Sequence, residues 1–278
     1  MIGRTAVVID SPAYLSDELV ERYGLLVAPL SVEIDGTQYL EGVDITADDF
    51  YERLPQAKSV STSQPSVGRL IKIYEEAAAA GAAEIVSIHM GASISGTVQS
   101  ARLASESSRV PVRVVDTRQA SFAEGLCVLE ALEALSTGKT VAEAVQVVDR
   151  ASKAVGNTFV VKALDLARRG GRLAGSEGPA VGISVLALTG EGMKVVGTAT
   201  TIEEAVALMA RHVETAARDS AGRALRVGVG HGAAPEIAAA LRQQVEGVGE
   251  VIDYVVGPVI GAHTGAGTAG AVFIARPV

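Results

Sequence analysis

Tryptophan is absent from this sequence of 278 residues, and aromatic residues supply only 4% of it, although 48% of the residues are hydrophobic. Almost all of the apolar mass therefore comes from Ala, Val, Leu and Ile. Because only 20% of the residues are charged, the composition excludes an intrinsically disordered chain and is typical of a globular protein. Aliphatic side chains will line any large cavity, and such walls suit a flexible hydrocarbon better than a planar ring.

Cysteine occurs once, as Cys127, so no intramolecular disulfide can form and a reducing cytoplasm is the expected compartment. No signal-peptide pattern opens the sequence, and no apolar run approaches the ~20 residues that cross a bilayer. We therefore expect a cytoplasmic protein with no integral membrane segment.

Positive charge is also scarce. The 24 Lys and Arg residues face 32 Asp and Glu residues, and no basic run follows the pattern of a phosphate backbone, so no nucleic acid is expected as a partner. The four His residues and the one Cys show no HExxH or CxxC spacing, and the sequence predicts no metal site. The segment Gly265–Gly270 formally matches a dinucleotide fingerprint, but too little chain follows it, and no cofactor is expected.

Short apolar runs alternate with stretches of helical period, and this rhythm predicts an α/β protein with two α/β domains. We place the first domain at 1–155, with a mainly parallel sheet, and the second at 156–278, with a mixed sheet, because the rhythm restarts at this point. Within the first domain we predict one strand over 25–32, followed by a hairpin turn at Asp35-Gly36.

Two hydroxyl-rich segments precede predicted helices. Thr62 and Ser63 lie just before a helix that Pro65 can begin, and one interpretation is that such hydroxyls only cap the helix. Ser93 and Ser95 follow a predicted strand, at the sheet edge where open α/β proteins bind their ligands. Hydroxyls and free amides at helix N-termini bind anions, so two such segments on neighbouring strands predict a convergent anion site.

A third candidate is the glycine-rich segment 257–267, which we interpret as a loop. Its functional side chains are His263 and Thr264, and so many glycines indicate close approach of the backbone to a ligand. The other histidines, His89 among them, are interpreted as structural, and Asp10 as the end of a strand.

Ser95 and His263 also allow a serine-type esterase or thioesterase, since a hydroxyl and an imidazole are two members of a hydrolytic triad. The Gly-x-Ser-x-Gly elbow of such enzymes is absent around Ser95. At this point the residues leave both a binding protein and this hydrolase open.

Four motifs, taken in their order and spacing, resemble the DegV family, and the likeness covers essentially the whole chain. The motifs are Thr62-Ser63-Gln64-Pro65-Ser66, Ser95-Gly96-Thr97-Val98-Gln99-Ser100-Ala101, Gly170-Gly171-Arg172 and Gly257-Pro258-Val259-Ile260-Gly261-Ala262-His263-Thr264-Gly265.

The resemblance implies a non-catalytic, two-domain α/β protein that binds one long-chain fatty acid. The carboxylate would lie among polar residues, and the acyl chain would lie in an aliphatic tunnel. The hydroxyl-rich loops that hold the head group would belong to 1–155, whereas 156–278 would contribute the tunnel and the Gly/His loop.

The family's carboxylate contacts correspond to Thr62, Ser95 and His263 in this sequence. Gly91-Ala92 stands where family members often carry Ser-Ser, so neighbouring hydroxyls join the candidate set. The additional candidates are Ser93, Ser63 and Thr264.

Some family members serve as the fatty-acid-binding subunit of a bacterial fatty acid kinase. A separate, ATP-using subunit then makes an acyl phosphate for phospholipid synthesis. The resemblance implies such a partner for this chain, and Arg172 matches a family arginine that contacts the partner or a phosphate.

Overall fold

The computed structural model describes residues 1–161, 182–189 and 192–276, and the chain divides into two compact units. Unit 1 consists of Met1–Ile45 and Ser59–Lys153, and unit 2 consists of Thr46–Lys58 and Ala154–Val278. Thr46–Lys58 thus belongs to unit 2, although Ser59–Lys153, which follows it in the sequence, belongs to unit 1. The domains predicted at 1–155 and 156–278 stay predictions.

Strands and helices alternate along most of the described chain. The strands are β1 (Thr5–Asp10), β2 (Leu26–Ala28), β3 (Ser31–Ile34), β4 (Thr37–Leu40), β5 (Val60–Ser63), β6 (Glu84–His89), β7 (Val112–Asp116), β8 (Gly156–Val160), β9 (Ile183–Thr189), β10 (Gly192–Ala199), β11 (Leu225–Gly232), β12 (Gly249–Val255) and β13 (Thr268–Ala275). The helices are α1 (Asp17–Tyr23), α2 (Ala47–Arg53), α3 (Val67–Ala79), α4 (Thr97–Ser105), α5 (Phe122–Ser136), α6 (Val141–Ala154), α7 (Ile202–Asp219), α8 (Pro235–Val245) and α9 (Pro258–Thr264).

The sheets of the two units differ in strand direction. Unit 1 contains a parallel sheet in the order β2-β1-β6-β7 and a small antiparallel sheet in the order β4-β3-β5. Unit 2 contains a six-stranded sheet in the order β10-β9-β8-β13-β11-β12, in which β11 and β12 are parallel and the other described pairs are antiparallel. The predicted fold class, with a mainly parallel sheet first and a mixed sheet second, is confirmed.

The single strand predicted over 25–32 is wrong. The structure has two strands there, β2 and β3, which belong to different sheets. Pro29 lies between them and has no N–H with which to continue a ladder. The hairpin turn is confirmed, since Asp35 and Gly36 have φ values of 50° and 84°, the positive values that a type I′ turn requires.

The core of each unit lies between its sheet and its helices. In unit 1, Leu70 and Tyr74 of α3 pack with Ile85 of the parallel sheet, and α5 is buried on nearly every face. In unit 2, α7 and α8 cover the mixed sheet through residues such as Met209 and Leu241. None of the helices in the described ranges combines the length and the apolar content that a bilayer span needs.

Candidate functional site

The loop between β6 and α4 carries Ser95. It leaves the carboxyl end of a strand in the middle of the parallel sheet, where ligands of open α/β sheets bind. The N–H groups of Ile94 and Ser95 both donate to the carbonyl of Gly91, which closes a tight turn. Ser95 therefore lies between this turn and the first residue of α4, Thr97.

Two hydroxyls of this loop contact each other. The Ser95 and Thr97 hydroxyl oxygens are 2.8 Å apart, and Ser95 Oγ also accepts the N–H of Thr97 at 3.3 Å. Thr97 is buried, whereas Ser95 is half-buried and Ser93 is exposed. Ser95 is therefore the member of this group that is both fixed by its neighbours and accessible.

The second hydroxyl-rich segment lies partly on a strand that the sequence did not reveal. Thr62 and Ser63 belong to β5, and Ser63 Oγ accepts a hydrogen bond from the Gln38 side chain at 3.4 Å. The prediction that Pro65 begins the helix is wrong, because Ser66 is the N-cap and accepts the N–H of Arg69. Capping thus accounts for Ser66, but it does not account for the two hydroxyls on the strand.

The two segments come together at Gly96. A Cβ on Gly96 would lie 2.9 Å from the amide nitrogen of the Gln64 side chain. Gln64 directly follows the hydroxyls of β5, and Gly96 lies between Ser95 and Thr97. The glycine permits this close approach, so within unit 1 the two predicted hydroxyl segments are neighbours.

The third predicted segment is not a loop over most of its length. Residues 258–264 form α9, with Pro258 at its first position and Gly265, at a φ of 75°, at its end. His263 is half-buried in the last turn of this helix in unit 2, and the Thr264 hydroxyl donates to the carbonyl of Ile260 at 3.2 Å. The glycine-rich composition misled the prediction, because Pro at the first position and Gly after the last one also mark a short helix.

Arg172 lies outside the described residues. In the part of the chain that is described, no group of three or more His, Cys, Asp or Glu side chains is arranged to hold a metal ion. A depression of about 440 Å³ in unit 2 is lined in part by Glu214, Arg218 and Arg223. Its charged lining does not match the aliphatic tunnel that the sequence leads us to expect.

Four buried polar side chains of unit 1 form a chain of hydrogen bonds. Asp10 Oδ1 is 2.5 Å from His89 Nδ1, His89 Nε2 is 2.6 Å from Ser87 Oγ, and Ser87 Oγ is 2.8 Å from the Tyr74 hydroxyl. Because a carboxylate only accepts hydrogen bonds, His89 Nδ1 donates to Asp10. Burial raises the pKa of Tyr74 to about 12, so the chain ends in a neutral phenol.

Sequence reasoning missed this chain, although Asp10 and His89 each end a neighbouring strand. Its members occur in the order of a hydrolytic triad, but Asp10, Ser87 and His89 have no exposed surface. A substrate would have no access to the Ser87 hydroxyl, so the chain is a structural element and not a nucleophilic site.

Glu124 is a second buried polar group of unit 1. It lies in the first turn of α5 with no exposed surface, and neither of its carboxyl oxygens forms a hydrogen bond. Burial, followed by repulsion from Asp10 and Glu41, raises its pKa well above the ordinary value of 4.5. Glu124 is therefore protonated and neutral at a pH where exposed glutamates are ionised.

We expect Glu124→Gln to stabilise the protein at alkaline pH and to flatten the pH dependence of its unfolding. The folded state holds the Glu124 proton more tightly than the unfolded state. Its contribution to stability is thus complete below pH 4.5 and is lost as the pH rises toward the folded-state pKa, at about 1.4 kcal/mol per unit of pKa difference. Urea unfolding at pH 5 and pH 8 measures this. Glu106→Gln, at an exposed glutamate, is the control, and an equal pH slope in wild type and Glu124→Gln would contradict the assignment.

Comparison with known proteins agrees with this architecture. Residues 4–276 match the family model described as "Uncharacterised protein, DegV family". A DegV domain-containing protein of Streptomyces coelicolor is 36% identical over 284 aligned positions, which cover 99% of this chain and 100% of the relative.

Two solved structures are similar along almost their whole length. A fatty-acid-binding DegV family protein from Thermus thermophilus has a TM-score of 0.91 at 31% identity, with 98% of this chain and 100% of that chain covered. DegV of Bacillus subtilis, a fatty-acid-binding protein, has a TM-score of 0.86 at 26% identity, with 98% and 99% covered. The fold defines an α/β protein with a parallel sheet in one unit and a mixed sheet in the other. The chain belongs to the DegV family.

Proposed function

We propose that this protein binds one long-chain fatty acid and holds its carboxylate at the Ser95 loop. The observation that carries the proposal is the meeting of two hydroxyl-bearing segments at Gly96, at the carboxyl edge of the parallel sheet. Hydroxyls and helix N-terminal amides suit a carboxylate without a buried arginine. The two similar structures named above are of fatty-acid-binding proteins, which supports the same ligand class here.

The head group and the tail contribute differently to the affinity. Each hydrogen bond to a carboxylate is worth about 1.5–3 kcal/mol net. Burial of about 14 methylene groups, at about 0.8 kcal/mol each, contributes on the order of 11 kcal/mol before ordering costs. The tail therefore supplies most of the affinity, and the hydroxyl site supplies the orientation.

We assign the carboxylate contacts to Thr62 and Ser95 and, from the family resemblance, to His263. His263 lies in the last turn of α9, and a ring N–H of an imidazole can donate a hydrogen bond to a carboxylate oxygen. Thr264 is a secondary candidate, because its hydroxyl already donates a hydrogen bond to the carbonyl of Ile260. The remaining candidates are Ser63 and Ser93.

We expect Ser95→Ala to weaken fatty acid binding by about 1.5 kcal/mol, or roughly tenfold. The loss is at the lower end of the range because the Thr97 hydroxyl, 2.8 Å away, remains at the site. Titration of the delipidated protein with palmitate measures the effect. Ser105→Ala, at the other end of α4, is the matched control. Equal affinity in wild type and Ser95→Ala would remove Ser95 from the site.

We propose that the protein is a binding protein and not a hydrolase. Ser95 Oγ is hydrogen-bonded to Thr97, and the buried Asp10–His89–Ser87 chain has no access to substrate. Chromogenic acyl esters of two to sixteen carbons should give no turnover above the buffer rate. Hydrolysis that Ser95→Ala abolishes would support the esterase alternative instead.

We further propose that the bound fatty acid is offered to a separate ATP-using kinase subunit. That subunit would transfer the γ-phosphoryl group of ATP to a carboxylate oxygen and release ADP, and Arg172 is the proposed contact to the kinase or the phosphate. This proposal rests on the family resemblance. ADP release that requires ATP, fatty acid, kinase subunit and this protein together would support it, and ADP release independent of this protein would overturn it.

A further inference from the structure

Strand β6 leads into the Ser95 loop. On the side of β1, its backbone pairing ends one residue before the strand itself ends. The parallel pairing of β1 with β6 ends at Ile9 and Ile88. Beyond that pair, the Asp10 side chain replaces the backbone as hydrogen-bond acceptor. Its Oδ2 accepts the N–H of Met90 at 2.8 Å, and its Oδ1 accepts from His89 Nδ1. A single carboxylate thus holds two successive residues, His89 and Met90, immediately before the loop.

The other side of the same short segment is held by the chain that follows β7. The carbonyl of His89 accepts the N–H and the hydroxyl of Thr117, at 3.0 and 2.8 Å. The N–H of Gly91 donates to the carbonyl of Gln119 at 2.8 Å. Residues 89–91, which lead into the Ser95 loop, are therefore held from both sides of β6. The segment after β7 holds them on one side, and the Asp10 side chain of β1 holds them on the other.

We propose that Asp10 is a positioning residue for the head-group loop, acting through His89 and Met90 on the placement of Ser95. This inference rests on the proposed function. Asp10 suits the role because its two oxygens accept from two donors at once in a site without solvent, where charge-assisted hydrogen bonds are strong. Ser87, which contacts His89 Nε2, fixes the imidazole on its far side.

The test measures head-group discrimination, defined as the ratio of the dissociation constants of 1-hexadecanol and palmitate. These ligands share one tail, so damage to tail burial or to overall stability changes both constants alike and leaves the ratio unchanged. We expect Asp10→Ala to lower the ratio about tenfold. Asp10→Asn should stay within about threefold of wild type, because an amide can still accept from Met90 N–H and donate to the other His89 tautomer.

Tyr74→Phe is the matched control, since it removes a buried hydroxyl at the far end of the same polar chain. The proposal is overturned if Asp10→Ala leaves the ratio unchanged, or if Tyr74→Phe lowers it as much as Asp10→Ala does.

Hydrogen exchange in the wild-type protein tests the contact without any variant or ligand. Met90 lies outside β6, yet its amide should exchange as slowly as the ladder amides of β6. Exchange of the Met90 amide at the rate of the amide of the exposed residue Ser93 would overturn the proposal. If wild type binds neither palmitate nor 1-hexadecanol, the proposed function fails. Slow exchange at Met90 would still support the hydrogen bond from the Met90 N–H to Asp10.

Discussion

Shortening the fatty acid from sixteen to twelve carbons is expected to weaken binding by about 3 kcal/mol, or roughly two hundredfold. Four buried methylene groups are lost, while the carboxylate and its hydrogen bonds are unchanged. The composition agrees with this dependence, since a chain without tryptophan and with 48% hydrophobic residues is expected to line a buried tunnel with aliphatic side chains.

Calorimetric titration of the delipidated protein with saturated fatty acids of twelve, fourteen and sixteen carbons measures this slope. Ser95→Ala is the control, because loss of a head-group contact should lower every affinity and leave the dependence on chain length unchanged. An affinity that does not change with chain length would show that the tail is not buried.

Replacement of Asp10 by alanine is expected to destabilise the protein by about 2–6 kcal/mol, because two buried donors lose their acceptor. The change leaves the His89 imidazole and the Met90 N–H buried without their acceptor. Loss of one partner in such a buried pair is costly because the remaining group cannot regain water.

Urea unfolding of the ligand-free protein provides the measurement. Asp149→Ala is the matched control, because Asp149 forms ion pairs with Lys153 and Arg118 at the surface. Exposed pairs of this kind are worth about 0–1 kcal/mol, so the two aspartates should differ several-fold in effect. Equal losses of stability for Asp10→Ala and Asp149→Ala would contradict the buried network.

Patterns that act over a few residues predicted much of the fold. The hairpin at Asp35-Gly36 followed from the turn preference of that pair. The alternation of short apolar runs with helical periods correctly gave a parallel and a mixed sheet. In each case the sequence pattern that carried the prediction lies within a short stretch of the chain.

Features that depend on distant residues were not predictable in the same way. Asp10 and His89 are 79 residues apart, and only the pairing of β1 with β6 brings them together. The sequence allowed Thr62 and Ser63 to be interpreted as helix caps. Their strand, β5, pairs with β3, which lies about thirty residues earlier in the sequence, so no local pattern revealed it. Ser95 was identified correctly as a loop residue because the end of a parallel strand is a local signal.

Native mass spectrometry of protein purified from a bacterial host tests the central claim most directly, with organic extraction to identify the released ligand. We predict one long-chain fatty acid per protein chain, displaced by added palmitate and retained less well by Ser95→Ala. Ligand-free protein that also fails to bind added palmitate, or a co-purified ligand without an acyl chain, would contradict the proposed function.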